Sequence, residues 1–180
     1  MQEKPAVGVV AIIIVVAVTV GILMSGGKEY DPHEFDASVL WFYDLNTNEQ
    51  YAVKVVGDFD MVPPHDAPSG ALNEKSGPMT KGGAAGVRAW VFACGTCKDE
   101  QFLGYLETLE PKKRQNAIDR KVGYHEVTWH RAPDGDDWHK AGTPESEAIV
   151  DFPVNKCGDK RPQRCEVNDA PAEVRAELKL

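Results

Sequence analysis

What this chain lacks narrows its chemistry before anything present is weighed. It has no run of Lys and Arg dense enough to neutralise a nucleic-acid backbone; Lys112, Lys113 and Arg114 form the densest cluster, with Arg120 and Lys121 further on. Nucleic acid is therefore not expected as a partner, because binding phosphates depends on cations that release condensed counterions. There is no Ser/His/Asp spacing, phosphate loop, dinucleotide fingerprint or HExxH helix. No internal repeat is present, which excludes solenoids and propellers. No cysteine follows the N-terminal apolar run, so a lipoprotein anchor is excluded. CGTCK is not CxxCH, so covalent haem attachment is unsupported.

What is present begins with an anchor. Ala6–Met24 reads AVGVVAIIIVVAVTVGILM, nineteen residues without a charge. At 1.5 Å rise per residue such a helix just crosses a hydrocarbon core of roughly 30 Å. A helix satisfies its own backbone there, and Thr19 can bond back to a carbonyl one turn earlier. A cleaved signal peptide is the competing reading, with Ser25-Gly26-Gly27 as the small residues; the long apolar run and weak charged n-region favour retention. Lys4 and the α-amino group stand against Lys28 alone, which places the N-terminus in the cytoplasm and the domain outside it. The expected localisation is a single-pass protein of a bacterial cell membrane, its lipid contact made through Ala6–Met24.

Residues 1–27 hold one acid, Glu3, and one base, Lys4, so the formal charge of −8 belongs to residues 28–180. Residues 28–38 read as a polar stem; its Asp31, His33, Glu34 and Asp36 are better taken as a solvated linker than a cation site. Residues 39–165 form the expected soluble domain, and 166–180 a charged tail. Val39–Tyr43 and Tyr51–Val56 are β-branched and aromatic runs that predict a β-hairpin. Gly57–Gly86 contains four prolines and six glycines and predicts a long irregular connection. Val87–Ala93 predicts a central strand. Thr96 and Asp99 match a capping box, and Phe102, Leu103, Leu106 and Leu109 recur at helical spacing, which predicts an amphipathic helix over 97–109. Further helices are expected at 111–120 and 143–150, and a half-buried strand at 124–131. The fold class is α+β: one transmembrane helix, then a small, mainly antiparallel sheet with two or three short helices.

Four cysteines, Cys94, Cys97, Cys157 and Cys165, carry the sharpest chemistry and admit three readings. As thiolates they are candidate ligands of one structural zinc, the CxxC turn offering two and the second pair completing a tetrahedron. In an exported domain they are equally two structural disulfides, of unassigned connectivity. Third, VRAWVFA followed by CGTCK and a helix resembles the active-site segment of the thioredoxin family. That resemblance implies Cys94 as attacking and Cys97 as resolving thiol, with Thr143-Pro144 matching the cis-proline segment. It covers about twenty residues, and the two extra cysteines depart from it. His125, His130 and His139 are expected at the surface beside an acidic turn, and the four tryptophans in packing roles.

WFYDLNTNEQY, APSG, GVRAWVFACGTC, FLGYLETLEP and CGDKRPQRC together resemble an uncharacterised group of bacterial single-span anchored proteins. The resemblance brings no activity, and implies only that the two cysteine pairs belong together. The function expected is an accessory or interaction domain at the membrane surface, open to a protein partner. The rival is a membrane-tethered thiol-disulfide oxidoreductase using Cys94 and Cys97.

Overall fold

A computed structural model describes residues 38–55, 62–170 and 172. Ala6–Met24 and the stem up to residue 37 lie outside the described residues; among those described, no helix is long and apolar enough to cross a membrane. The domain is α+β, built on an antiparallel sheet. Its strands are β1 (Ser38–Asp44), β2 (Glu49–Val55), β3 (Gly86–Cys94), β4 (Gln101–Leu109), β5 (Thr128–Arg131), β6 (His139–Lys140) and β7 (Pro162–Cys165). Lateral order is β2-β1-β3-β4-β5-β6, with β7 beside β3. Among the described residues four short α-helices punctuate it: α1 (Arg114–Ile118), α2 (Tyr124–Val127), α3 (Pro144–Val150) and α4 (Phe152–Cys157).

The β1–β2 hairpin forms as its composition predicts, in register from Ser38↔Val55 to Asp44↔Glu49. Asp44 holds the connection. Only 2% exposed, it accepts from the backbone N–H of Asn46 at 2.9 Å and from Ser69 N and Oγ at 3.1 and 2.8 Å. A buried carboxylate with three donors is satisfied, and it ties the hairpin to the long connection.

β3 alternates in burial along its length. Val87, Ala89, Val91 and Ala93 point to one face and are buried; Arg88, Trp90, Phe92 and Cys94 point to the other. The first face is closed by residues 62–85. This irregular stretch is not a surface loop: Ala67, Leu72, Met79 and Ala85 are buried in the main core with Trp41, Leu106 and Trp138. Gly77 shows the tightness, since at φ +55 a Cβ there would collide with the Trp138 ring.

Residues 101–109 correct the sequence reading: they form β4, antiparallel to β3, and not a helix. The Thr96/Asp99 pair is real but makes a reversal. Asp99 N–H donates to Thr96 O, while Asp99 Oδ2 accepts from Thr96 N and Oγ1. Register runs Trp90↔Tyr105 and then Val91↔Leu103, so Gly104 is the extra residue of a bulge. A Cβ at Gly104 would meet the Phe92 ring at 2.5 Å and Pro153 at 2.9 Å. The apolar spacing that mimicked a helix arises because β4 is buried from both sides around this bulge. Residues 124–131 also divide, into the turn α2 and the shorter strand β5.

Candidate functional site

The cysteines come together at one end of the sheet. Cys94 ends β3, Cys97 lies in the reversal to β4, Cys157 ends α4, and Cys165 ends β7. The sulfurs pair as Cys94–Cys157 and Cys97–Cys165, and among the described residues no cysteine is free. In this oxidised arrangement none of the four is a thiolate, and zinc ligation through them would require both bridges to open. Among the described residues no other group of three or more His, Cys, Asp or Glu is placed to hold a metal.

The bridges interleave along the chain, with separations of 63 and 68 residues. Loop-closure entropy gives the first of them about 4 kcal/mol of stabilisation. With that bridge closed, the second closes only the remainder, three residues from 94 to 97 and eight from 157 to 165, worth about 3 kcal/mol more. Both hold the segment after α4, so that β7 lies on β3 with Val91↔Cys165 in register. Packing continues past Cys165: Val167 and Ala170 are buried at 0% and 5% exposure.

The thioredoxin-like reading expects a helix after the CxxC, and the structure places a strand there instead. Its low-pKa thiol requires a helix whose N-terminus faces the sulfur. Here Cys97 is followed by a turn and a strand, and neither CxxC cysteine is bonded to the other. Pro144 opens α3, whose N-cap is Thr143, its Oγ1 accepting from Ser146 N–H.

A second constellation was not legible from sequence spacing. It lies on the other sheet face, where β4, β5 and α3 meet. His130 Nδ1 is 2.8 Å from Ser146 Oγ, and its Nε2 is 3.5 Å from Glu107 Oε2. Tyr124 donates its hydroxyl to Glu107 Oε1 at 3.2 Å, and the Tyr105 ring packs against the imidazole, edge to face, at 5.5 Å. The structure thus moves His130 from the surface into a cluster, its side chain 12% exposed, while His125 stays exposed. Desolvation around the hydroxyls pushes the Tyr124 and Tyr105 phenols up, although Tyr124 as a whole stays 42% exposed, and the Glu107 carboxylate adds to the rise.

Serine, imidazole and carboxylate in a row suggest a nucleophilic relay, but the burial decides against one. Ser146 is 1% exposed, in the first turn of α3, so its hydroxyl is not presented to a substrate. What the row does is hold α3 on the sheet through satisfied polar contacts in a buried setting. Next to it, Arg88 lies between the rings of Phe42 and Trp90, at 5.8 and 5.5 Å. Both Glu107 oxygens are engaged by Tyr124 and His130, although Glu107 is the register partner of Arg88.

No family model, curated protein or solved structure matches this chain.

Proposed function

We propose that the chain is a membrane-anchored extracytoplasmic module that works by interaction, its four cysteines serving as a structural staple. The observation that carries this reading is the cross-pairing of the cysteines. Each CxxC sulfur is bonded to a residue more than sixty positions away, an arrangement suited to bracing a small sheet and not to exchanging electrons. Bridges of this kind persist in oxidising compartments, which agrees with an apolar Ala6–Met24 segment holding the domain outside the cytoplasm. The remaining polar cluster is likewise occupied in holding elements together.

The test uses the full chain in bacterial membranes. Protease added outside spheroplasts is expected to digest the domain while an N-terminal tag stays protected. Purified protein is expected to contain no stoichiometric zinc, to show no free thiol, and to leave insulin disulfides unreduced in the presence of a reductant. Turnover of insulin abolished by Cys94→Ser would overturn the staple and favour the oxidoreductase, and a protected domain would overturn its extracytoplasmic placement. About one zinc per chain with four titratable thiols would replace the staple by a metal site.

A further inference from the structure

The sheet face that carries Arg88 and Glu107 also carries a run of aromatic rings that reaches the surface. Trp90 and Phe92 alternate outward on β3 and are half-buried. Phe92 packs against Phe102 of β4 at 6.4 Å, and Phe102 meets Phe152 of α4 edge-on at 6.2 Å. Phe152 is 39% exposed and its neighbour Val154 53%. Among the described residues, these two and Tyr124 are the large hydrophobic side chains left most open.

Cations border the run at both ends. Lys156 Nζ stands 4.1 Å from the centre of the Phe102 ring and 5.7 Å from that of Phe152. The Arg164 guanidinium covers Trp90 at 5.1 Å. Residues 156–164 hold four cations, Lys156, Lys160, Arg161 and Arg164, against the single acid Asp159, in a chain whose net charge is −8. All five are exposed. Acids do border the segment: Glu166 pairs with Arg164 at 3.2 Å, and Asp99 lies within electrostatic reach of Lys160. Arg161 forms no ion pair among the described residues, and an open cleft of about 360 Å³ lies beside it, lined by Gly95, Pro162, Gln163 and Arg164.

Three properties therefore coincide. Exposed aromatic and arginine side chains are the types that dominate interface energies. Within residues 156–164 the charge is opposite in sign to that of the whole chain, although Asp151, Asp99 and Glu166 border it. Cys157 and Cys165 bracket Lys160, Arg161 and Arg164 and are both bridged, so little ordering entropy is lost when they bind.

We propose that the aromatic run from Trp90 to Phe152, with its Lys156, Arg161 and Arg164 border, docks an acidic protein segment that also carries apolar side chains. The proposal rests on the interaction reading above and names its surface. Charge complementarity selects the partner: the cations attract carboxylates and the rings take up apolar side chains between them. It also disfavours a partner as basic as a nucleic-acid-binding protein, whose charges this border would repel.

The experiment measures binding of the full chain, its anchor held in nanodiscs of neutral phosphatidylcholine, to a synthetic peptide alternating Glu with Leu. A second peptide with Lys in place of Glu, and vesicles of anionic phosphatidylglycerol, are the comparisons. Binding of the Glu peptide is expected to weaken with salt and to be absent for the Lys peptide. Phe152→Ala and Arg164→Glu are each expected to weaken it about tenfold or more. Both sites are exposed, and retention of both disulfides by mass mapping establishes that each variant is folded.

Equal affinity for both peptides, or binding unchanged in both variants, would overturn the proposal. So would binding to the vesicles with none to the peptide, or self-association broken by Arg164→Glu, which would make lipid or a second copy the occupant. Failure of peptide binding with the insulin and zinc results unchanged would remove this surface and leave the stapled-module reading in place.

Discussion

The two faces of the sheet are closed by opposite means. One face is filled by apolar side chains from residues 62–85, with Leu72, Met79, Leu106 and Trp138 in a single core. The other is closed piecemeal: by Arg88 between two rings, by the Glu107–His130–Ser146 row, and by α4 held through Cys94–Cys157. An irregular chain can thus provide an ordinary hydrophobic core when glycine and proline let it lie flat on a sheet. A face too polar to close that way depends on covalent and hydrogen-bonded ties, and it leaves its aromatic edge open.

That comparison can be broken most severely at the cysteines. Reducing both bridges is expected to cost about 7 kcal/mol by loop entropy, comparable to the whole stability of a small domain. Chemical denaturation of the chain with and without reductant checks this, and an unchanged midpoint would show that the domain needs no staple, since Cys94–Cys157 ties down the second face and Cys97–Cys165 lies within the apolar core. Next comes the apolar face. Met79→Ala is expected to destabilise by about 2–5 kcal/mol, because Met79 is 1% exposed and also receives Thr108 Oγ1 on its sulfur. A loss under about 0.5 kcal/mol, the level of a surface change, would mean residues 62–85 are not part of the core.

Smaller effects separate the polar ties. Glu107→Leu leaves the Tyr124 hydroxyl without its acceptor and removes the carboxylate beside His130 Nε2, and a loss of about 1–3 kcal/mol is expected. Thermal denaturation of that variant beside Ser146→Ala would show whether the row acts as a unit, through a double variant that falls short of the summed losses.

The smallest effect is a pH dependence. Backbone and side-chain hydrogen bonds from Thr96 hold the Asp99 carboxyl below its ordinary value. A carboxylate depressed on folding adds stability above its unfolded pKa and loses it as pH falls through the folded one. Stability curves of the chain and of Asp99→Asn should therefore differ at neutral pH and converge in acid. Parallel curves would remove Asp99 from the reversal that positions Cys97.

The residues also explain what sequence reasoning reached. The β1–β2 hairpin and β3 were legible because β-branched and aromatic runs of that length have few alternatives. The 97–109 segment departs from its helical expectation because Leu103, Leu106 and Leu109 fit a helix as well as a strand buried on both faces, and Gly104, the bulge residue, carries no local signal of its role. Two cysteine pairs announced a shared site, but their connectivity depended on α4 and β7, neither of which was foreseen. The His130 cluster stayed hidden because positions 107, 130 and 146 have no common period; only the order of β4 and β5 and the path of α3 bring them within hydrogen-bond reach.

The most direct test of the central claim, that the cysteines are a cross-paired staple, is disulfide mapping by mass spectrometry on the full chain purified under alkylating conditions. The expected result is linked peptides joining Cys94 to Cys157 and Cys97 to Cys165, with no alkylated cysteine. A Cys94–Cys97 link, or four alkylated thiols accompanied by zinc, would contradict it.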